Sequence, residues 1–561
     1  MFIKTRIAIE KGDTGSFHIQ KTRVNDNRLI FYSYILCVGV ALVFIVLRLI
    51  HLTVVKGSYY ALLADNNRIR EVVLEAPRGI ITDRKGIVVA ANTTQDATSV
   101  IEGRSESERT YPFSSVTSTI LGYVQIADTQ DISQDECQRR LQLGDRIGKK
   151  GVESLFECVL RGVNGKKLVE FDAQGQYEET IGLVDSAPGE DIQLALDVKL
   201  QEKAYQLMQE KKGAIVALKP TTGEVLTLVS APSYDPSLFA KNSKAAETLL
   251  TDPDKPLFDR ATEGQYPPGS TFKPFIASAG LEEGVIDETT QIEDHGFLKA
   301  GPQTFYNWYY TDYGRTEGFV DIVKSLQRSN DIFYYELGGK LGPVKIKKWA
   351  ELFGFNAKTG IGLPETEGLI PSDFWKKDTL GERWYLGDSY NLSIGQGYVS
   401  VTPLQLAVAT SAFAYDKKIC KPQLLKTTSS ETNCKDVPIS DKTYELVRDG
   451  MKAACETGGT GWPLFDFKVA TPSALFAQSK EEKITQISPI IREKRIEIGC
   501  KTGTAESHAE SGKPHAWFTV FAPFDKPEII VTVLVEEGGQ GSDVAAPIAK
   551  ELLQYYFEQY E

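Results

Sequence analysis

The sequence predicts an α+β protein carried on one membrane helix, and three observations lead there. An uncharged apolar run occupies residues 29–47. Strand-like segments lie near both ends of the remaining chain and bracket a helix-rich middle, roughly residues 240–460, which builds a sheet from both termini instead of a doubly wound fold. The length, 561 residues, predicts three or four domains of roughly 150 residues, or two with one large.

The apolar run comes first. Its 19 residues make a helix about 28 Å long, enough to cross a bilayer core. A helix apolar on every side and this long is more often membrane-spanning than buried. A cleaved signal peptide would have a shorter apolar stretch followed by small residues, whereas Arg48, Leu49, Ile50 and His51 follow here. Ahead of it, Lys4, Arg6, Lys11, Lys21, Arg23 and Arg28 outnumber Glu10, Asp13 and Asp26. That excess places the N-terminus in the cytoplasm, with Arg48 and Lys56 weakening the bias. The expected layout is a tail over 1–28, an anchor over 29–52 and the rest outside the cytoplasm.

Residues 53–187 mix short strands with charged turns and contain no nucleophile–base pair. Segment 80–92 reads as two strands around Asp83-Arg84-Lys85-Gly86. Arg78, Asp83 and Arg84 are expected to hold a turn by charge-assisted hydrogen bonds. Segment 148–174, with Gly148, Gly151, Gly162 and Gly165, reads as loop-helix-loop with strands after it. The turn Ser186-Ala187-Pro188-Gly189 marks a boundary, and residues 188–561 form the second domain. There Asp197 caps a helix running through Gln201 to Met208. Strands 213–218 and 224–229 flank a Pro-Thr-Thr-Gly turn. Segments 495–501, 516–521 and 528–535 alternate like antiparallel strands, and a helix of about residues 543–560 closes the chain.

Composition removes several function classes. Apolar residues make 42% and charged residues 25%, ordinary globular values. A net charge of −12 argues against a nucleic-acid partner. Five histidines leave little room for a His-rich metal site, and the seven cysteines include no CxxC pair. Cys37 lies in the anchor; the other six stand where disulfides are possible. They permit fifteen pairings, with buried free thiols an equal alternative.

Three motifs carry chemistry. In Tyr266-Pro267-Pro268-Gly269-Ser270-Thr271-Phe272-Lys273, Ser270 is placed to begin a helix, and Pro274 is tolerable in a first turn. Residues three apart share a helix face, so the Lys273 amine reaches the Ser270 hydroxyl and, if burial lowers its pKa, activates it as a nucleophile. An ordinary capped helix with a surface lysine has the same pattern. Ser329-Asn330-Asp331 precedes an aromatic-rich helix and reads equally as an N-cap. Lys501-Thr502-Gly503-Thr504 ends a predicted strand, and Cys500 excludes a phosphate loop. Gly503 suits a strand that admits a ligand against its backbone. A second Lys-Thr-Gly, at Lys358, lacks a strand before it.

Separated by roughly 60 and 170 residues, the three motifs resemble the S-x-x-K, S-D-N and K-T-G set of penicillin-binding proteins and class A β-lactamases. The chain is similar to class B penicillin-binding proteins, monofunctional peptidoglycan DD-transpeptidases. Arg78-Gly79-Ile80-Ile81-Thr82-Asp83-Arg84-Lys85-Gly86, Gly151-Val152-Glu153 and Leu160-Arg161-Gly162 resemble that family's pedestal (dimerisation-type) domain. Ile394-Gly395-Gln396-Gly397 and Val401-Thr402-Pro403-Leu404-Gln405 resemble a stretch near its active site. No glycosyltransferase domain precedes these motifs, which separates class B from class A. Asp331, Lys513-Pro514-His515-Ala516-Trp517-Phe518 and residues 538–547 resemble the elongation-type group, and no C-terminal repeats of the division type are expected. Cys500 stands where relatives carry a small residue.

The resemblance implies a β-lactamase-like catalytic fold and an acyl-enzyme mechanism. Ser270 attacks the bond between the terminal D-alanines of a stem peptide and Lys273 takes its proton. Ser329 relays a proton to the leaving amine, Asp331 positions Lys273 and the substrate amide, and Asn330, Thr502, Gly503 and Thr504 bind substrate with Lys501. The backbone amides of Ser270 and Thr504 form the oxyanion hole. β-Lactams acylate Ser270. Some relatives bind zinc between the first two motifs; only His295 and no cysteine stand there, so no metal or other cofactor is expected. Implied partners are stem peptides, the bacterial cytoplasmic membrane, a SEDS-type glycan polymerase and other elongation-complex proteins. Competing readings are a DD-carboxypeptidase, a division-specific transpeptidase, a β-lactamase, and a non-catalytic scaffold. The anchor is directly testable: a reporter fused before Leu29 should be cytoplasmic and one after Glu561 external, and both on one side would overturn it.

Overall fold

A computed structural model describes residues 5–11, 17–23, 28–93, 104–105, 108–138, 140–172, 177–241, 243–427, 433–472, 491–507 and 511–560. They form two compact units. The first comprises Met1–Leu74, Ala97–Ser105 and Gly165–Asp185. Its apolar run is a helix, Arg28–Ile50, continued by a π-helical turn, His51–Val55, long and apolar enough to cross a membrane and burying none of its side chains against protein. Ahead of it, Thr5–Lys11 pairs with Phe17–Arg23 in a hairpin that the charge pattern of the tail did not reveal. A four-stranded sheet orders Tyr177–Val184, Gly165–Phe171, Ile69–Leu74 and Arg104–Ser105, with Val72, Val169 and Phe171 as its small core.

The second unit comprises Glu75–Asp96, Glu106–Asn164 and Ser186–Glu561. Residues 75–96 and 106–164, read from sequence as part of a separate domain, therefore pack with the motif-bearing residues. Strands Ile81–Thr82 and Val88–Thr93 pair antiparallel as predicted, and Asp83 Oδ1 accepts from the amides of Lys85 and Ile87 at 2.8 Å to hold their turn. Arg78 does not serve that turn. It reaches over 70 residues along the chain to Glu153 (3.0 Å) and Glu157 (2.7 Å). Arg109 joins Glu153 at 2.7 Å, and Arg161 joins Glu157 and Asp135 at 2.8 Å each. Three guanidiniums and three carboxylates thus neutralise one another out of water.

The catalytic sheet has five antiparallel strands: β1 (Gly213–Leu218), β2 (Val225–Ala231), β3 (Gly499–Ala505), β4 (His515–Ala522) and β5 (Ile529–Val535), in the order β2-β1-β5-β4-β3. Helices α1 (Val198–Leu207, capped by Asp197 as predicted), α2 (Lys273–Glu282), α3 (Asp331–Leu352), α4 (Pro403–Ala414), α5 (Asp441–Ala454) and α6 (Ala545–Tyr560) surround it. Successive side chains on a strand face opposite sides. Ile215 and Ala217 enter a core with Leu200 of α1 and Leu552 of α6. Ala214, Val216 and Leu218 enter the opposite core with Phe275 of α2 and Val408 of α4. The sheet is covered on both faces, so its strands are apolar runs with little of the alternation predicted.

All six candidate cysteines are paired: Cys137–Cys158, Cys420–Cys434 and Cys455–Cys500. Free thiols, weighed equally from sequence, are corrected by geometry that only tertiary packing supplies. Burial alone would raise the Glu153 carboxyl, but Arg109 and Arg78 hold it below the usual glutamate range. Glu153→Ala leaves the buried Arg109 guanidinium without its carboxylate and Arg78 with Glu157 alone, and should lower stability by about 3–5 kcal/mol, read as a fall in melting temperature of the detergent-solubilised chain. Glu153→Gln should recover part of the loss; an unchanged melting temperature in Glu153→Ala would contradict this account.

Candidate active site

The nucleophile candidate sits where an extended run turns into a helix. Gly269 has φ +54°, a left-handed conformation available to glycine at little expense. A Cβ there would stand 2.8 Å from the Thr504 carbonyl oxygen, so the turn lies directly against β3. Ser270 belongs to a 3-10 turn, Gly269–Phe272, and α2 begins only at Lys273. Ser270 is therefore not the side-chain cap that sequence suggested. The Trp517 indole donates to the Pro267 carbonyl at 2.9 Å, and the Gly269 amide donates to Gly395 at 2.9 Å. These contacts fix the turn from two sides.

Lys273 is fully buried. Its Nζ donates to Asp331 Oδ1 and to the Ser329 carbonyl, each at 2.7 Å, and approaches Ser329 Oγ at 3.4 Å. The contact expected with Ser270 is replaced by these bonds. Lys501, also fully buried, donates to Ser329 Oγ at 2.9 Å and to the Thr502 carbonyl at 3.1 Å. Two amines thus converge on one hydroxyl. Burial lowers the Lys273 pKa from the ordinary lysine value, with the Asp331 carboxylate partly opposing. Burial lowers Lys501 further, reinforced by the Lys273 charge and opposed by Asp331.

Ser329 has φ +52°, a strained backbone for a non-glycine residue. Asp294, 2% exposed, supports it from behind. Its carboxylate accepts from Asn307 Nδ2 (2.7 Å), Asn330 Nδ2 (2.9 Å) and the amides of Gly296 (2.7 Å) and Glu317 (3.0 Å). Asn307 Oδ1 accepts from the Asp331 amide at 3.1 Å, and Asp331 Oδ2 from the Trp308 amide at 3.1 Å. Asn330, read from sequence as substrate-binding, has its side chain turned inward: besides Asp294 it caps α3 through the Phe333 amide at 2.9 Å. It holds the loop and does not face the cavity.

The third motif lies inside β3, not at a strand end. β3 is the edge of the sheet, and Gln396 Nε2 donates to the outward-facing Thr504 carbonyl at 3.2 Å. A residue's amide and carbonyl point to the same side of a strand, so the Thr504 amide faces the same open edge. A Cβ on Gly503 would meet Thr271, Pro268 and Trp517 at 2.8–3.0 Å. Its smallness admits the nucleophile's turn, correcting the ligand-clearance reason inferred from sequence. Thr502 Oγ1 lies 2.7 Å from Thr460 Oγ1, on the loop after α5. Cys500 is explained too: bridged to Cys455 at the end of α5, it ties that loop to β3. The other Lys-Thr-Gly is a loop whose Thr359 and Gly360 amides bind Glu365 at 2.8 Å.

Ser270, Ser329, Asp331, Thr502, Gly503 and Thr504 line one cavity of about 710 Å³, with Lys273 and Lys501 buried beneath. Thr460, Trp308, Tyr335 and Gln540 also line it. Sequence analysis assigned none of these a role; Gln540 stood in the quoted stretch 538–547, and Thr460, Trp308 and Tyr335 stood in no quoted motif. Gln396 stood in a quoted family stretch but without a role. Such an arrangement supplies a hydroxyl nucleophile, buried bases, a relay hydroxyl and backbone donors on an open edge, the parts of covalent acyl transfer.

A family model described as penicillin binding protein transpeptidase domain matches residues 213–554, and one described as penicillin-binding protein dimerisation domain matches residues 95–194. The chain is 33% identical over 484 residues to the peptidoglycan D,D-transpeptidase MrdA of Haemophilus influenzae, covering 82% of this chain and 71% of that protein. It superposes with TM-score 0.71 on Pseudomonas aeruginosa PBP2 in complex with WCK 5153, at 32% identity, covering 87% of this chain and 96% of the other. Helicobacter pylori PBP2, solved in complex with MreC, gives TM-score 0.71 at 26% identity, covering 88% and 99%.

The support behind Ser329 generates a prediction. Asp294→Ala removes the shared acceptor and should slow penicillin acylation by about 10–100-fold, the usual effect of losing a residue that orients a reactive group. Asp294→Asn, which keeps part of the acceptor set, should lose less. Acylation unchanged in a folded Asp294→Ala would remove Asp294 from the account.

Proposed function

We propose a residue-by-residue acyl-transfer cycle for this chain, which belongs to the penicillin-binding transpeptidase family and, within it, to the class B, elongation-type members. It is a serine-type peptidoglycan D,D-transpeptidase that cross-links the cell wall. One observation carries the assignment of roles: Ser270 on the cavity wall, with two buried lysine amines meeting at Ser329.

In the cycle, Ser270 Oγ attacks the carbonyl between the two terminal D-alanines of a stem peptide. Lys273, whose pKa burial lowers, takes the hydroxyl proton. The oxyanion meets the amides of Ser270, in a helical first turn without an intrahelical acceptor, and Thr504, on the open edge. The terminal carboxylate docks at Thr502 beside Thr460 and draws a proton onto Lys501, since an anion favours the charged amine. Ser329, within reach of both amines, passes a proton to the departing D-alanine amine. The same relay runs in reverse when the amine of a neighbouring stem attacks the ester. Asp331 orients Lys273, Asn330 holds the loop, and Gly503 lets nucleophile and strand approach. β-Lactams enter as mimics of the terminal dipeptide and acylate Ser270.

The helix Arg28–Val55 anchors the chain in the membrane; the tail charges favour a cytoplasmic N-terminus and an external active site. Residues 53–187 serve as the non-catalytic pedestal and residues 188–561 as the transpeptidase region. The pedestal docks elongation-complex proteins, among them a SEDS-type glycan polymerase. The MreC bound by the Helicobacter pylori relative supports a partner-binding role.

The test is penicillin acylation against pH. Burial depresses the Lys273 pKa, so its proton leaves at lower pH than an ordinary lysine's and acylation should rise along a limb below the ordinary lysine range. Asp331 raises that pKa; Asp331→Asn should therefore move the limb to lower pH while reducing its plateau. Lys273→Ala should lose about 10²–10⁴-fold, and Ser270→Ala should take no covalent label at any pH. Label on Ser270→Ala, or a limb that moves upward in Asp331→Asn, would overturn the assignment.

A further inference from the structure

We infer that the Cys455–Cys500 cystine is a positioning element of the site, holding Thr460 against Thr502 where the substrate carboxylate docks, and that the chain reaches its full acylation rate only after a thiol oxidant has closed it; this rests on the transpeptidase reading above.

The segment that follows α5, residues 456–461, reads Glu-Thr-Gly-Gly-Thr-Gly. Three glycines in six residues leave such a segment many conformations to lose on ordering. It nevertheless lays Thr460 Oγ1 2.7 Å from Thr502 Oγ1 and puts Gly459 and Thr460 on the wall of the cavity that contains Ser270. Something outside the segment must fix it. On one flank Arg328, the residue before Ser329, donates from Nη1 to the Gly458 carbonyl at 2.7 Å. On the other stands the cystine. Cys455 ends α5, Cys500 is the residue before Lys501 in β3, and their Cα atoms lie 5.9 Å apart.

Gly461 shows how closely the segment is fitted to that bridge. Its φ of −86° is open to any residue, yet a Cβ there would stand 2.7 Å from Cys455 Sγ and 2.9 Å from Cys500 Sγ. The chain turns over the two sulfurs, and the Gly461 amide closes the turn on the Ala454 carbonyl at 2.8 Å. Thr460 is the residue just before. β3 is an edge strand, hydrogen-bonded to β4 alone, and the bridge ties its Lys501 end covalently to α5.

Opened to two thiols, the pair no longer fixes α5 against β3, and the glycines let Thr460 leave Thr502. The hydroxyl pair that receives the carboxylate is then lost, while Ser270, Lys273 and Ser329, which belong to other elements, keep their places. Cys455 is 3% and Cys500 0% exposed, so an oxidant meets these thiols while the domain is still folding, on the external side where disulfides persist. Closing the bridge forms one S–S bond and removes two protons and two electrons from the thiols. The disulfide of a thiol oxidase takes these up, through a mixed disulfide, and leaves as a dithiol.

The experiment compares acylation of the full-length, detergent-solubilised protein by benzylpenicillin and by its methyl ester, which lacks the carboxylate. The readout is the ratio of the two second-order rates. The double variant Cys455→Ala with Cys500→Ala should cut that ratio about tenfold, the worth of a hydrogen bond to a charged group. Benzylpenicillin should slow, and the ester should stay within about twofold. Thr460→Val should cut the ratio in the same way, and Thr460→Ser should restore it. Cys420→Ala with Cys434→Ala, which opens the bridge of a different hairpin, should leave it unchanged. For the oxidant, wild-type protein is taken from cells grown with dithiothreitol, exposed briefly to biotinylated penicillin and separated on that tag. Mass spectrometry of the alkylated peptides should find the Cys455–Cys500 disulfide in the labelled fraction and the two thiols in the unlabelled one. An unchanged ratio in the double cysteine variant, equal losses on both ligands (a general failure to fold included), a ratio unmoved in Thr460→Val, or thiols shared evenly between the fractions would each overturn the inference. A wild type that penicillin does not acylate at Ser270 would instead strike the transpeptidase reading itself.

Discussion

Lys273 and Lys501 both bring an amine to Ser329 in a space closed to water. Two ammonium ions so close in a low-dielectric site repel strongly, and each loses its hydration there. Asp331 offsets only part of that burden. Both amines therefore give up their protons at lower pH than free lysines would. The surrounding arrangement preserves this condition: the Tyr334 side chain is fully buried, and its ring lies 5.2 Å from Lys273 Nζ.

Holding Ser329 between the amines requires a backbone that the residue disfavours on its own. The restoring force comes from Asp294, which gathers donors from two loops and from Asn330. A carboxylate with four donors is a stiff joint, and it is reached through Asn307 and Asp331 without touching the cavity. The two ends of the site are thus braced differently: Ser329 by a buried hydrogen-bond hub, and β3 by a covalent bridge from Cys500 to Cys455.

Much of this was legible in the sequence, and the failures share a cause. The membrane helix, the Asp197 cap and the three motifs declared themselves through local pattern, as did most strands of the catalytic sheet. The third motif was misplaced at a strand end because polar residues on a cavity-facing edge look like the start of a loop. Ser270 looked like a cap because a helical turn precedes α2. Asn330 and Asp294 read as loop polar residues, since only folding shows that they face each other. Arg78 was given a neighbour within its own turn, whereas its carboxylates lie on helices far along the chain. The disulfides were open for the same reason. Partners distant in sequence leave no periodic signal.

The strand order has a consequence for how the protein comes into being. β5 is among the last segments of the chain, yet it occupies the middle of the sheet, pairing with β1 on one side and β4 on the other. β3, with Lys501 and the Thr504 amide, reaches β1 only through β4 and β5. In the order of synthesis all three motifs come before the strand that unites them. Until residues 529–535 are free to insert, β3 and β4 are not joined to β1 and β2. The cavity that Ser270 and Thr504 line is therefore completed only when nearly all of these residues have been made.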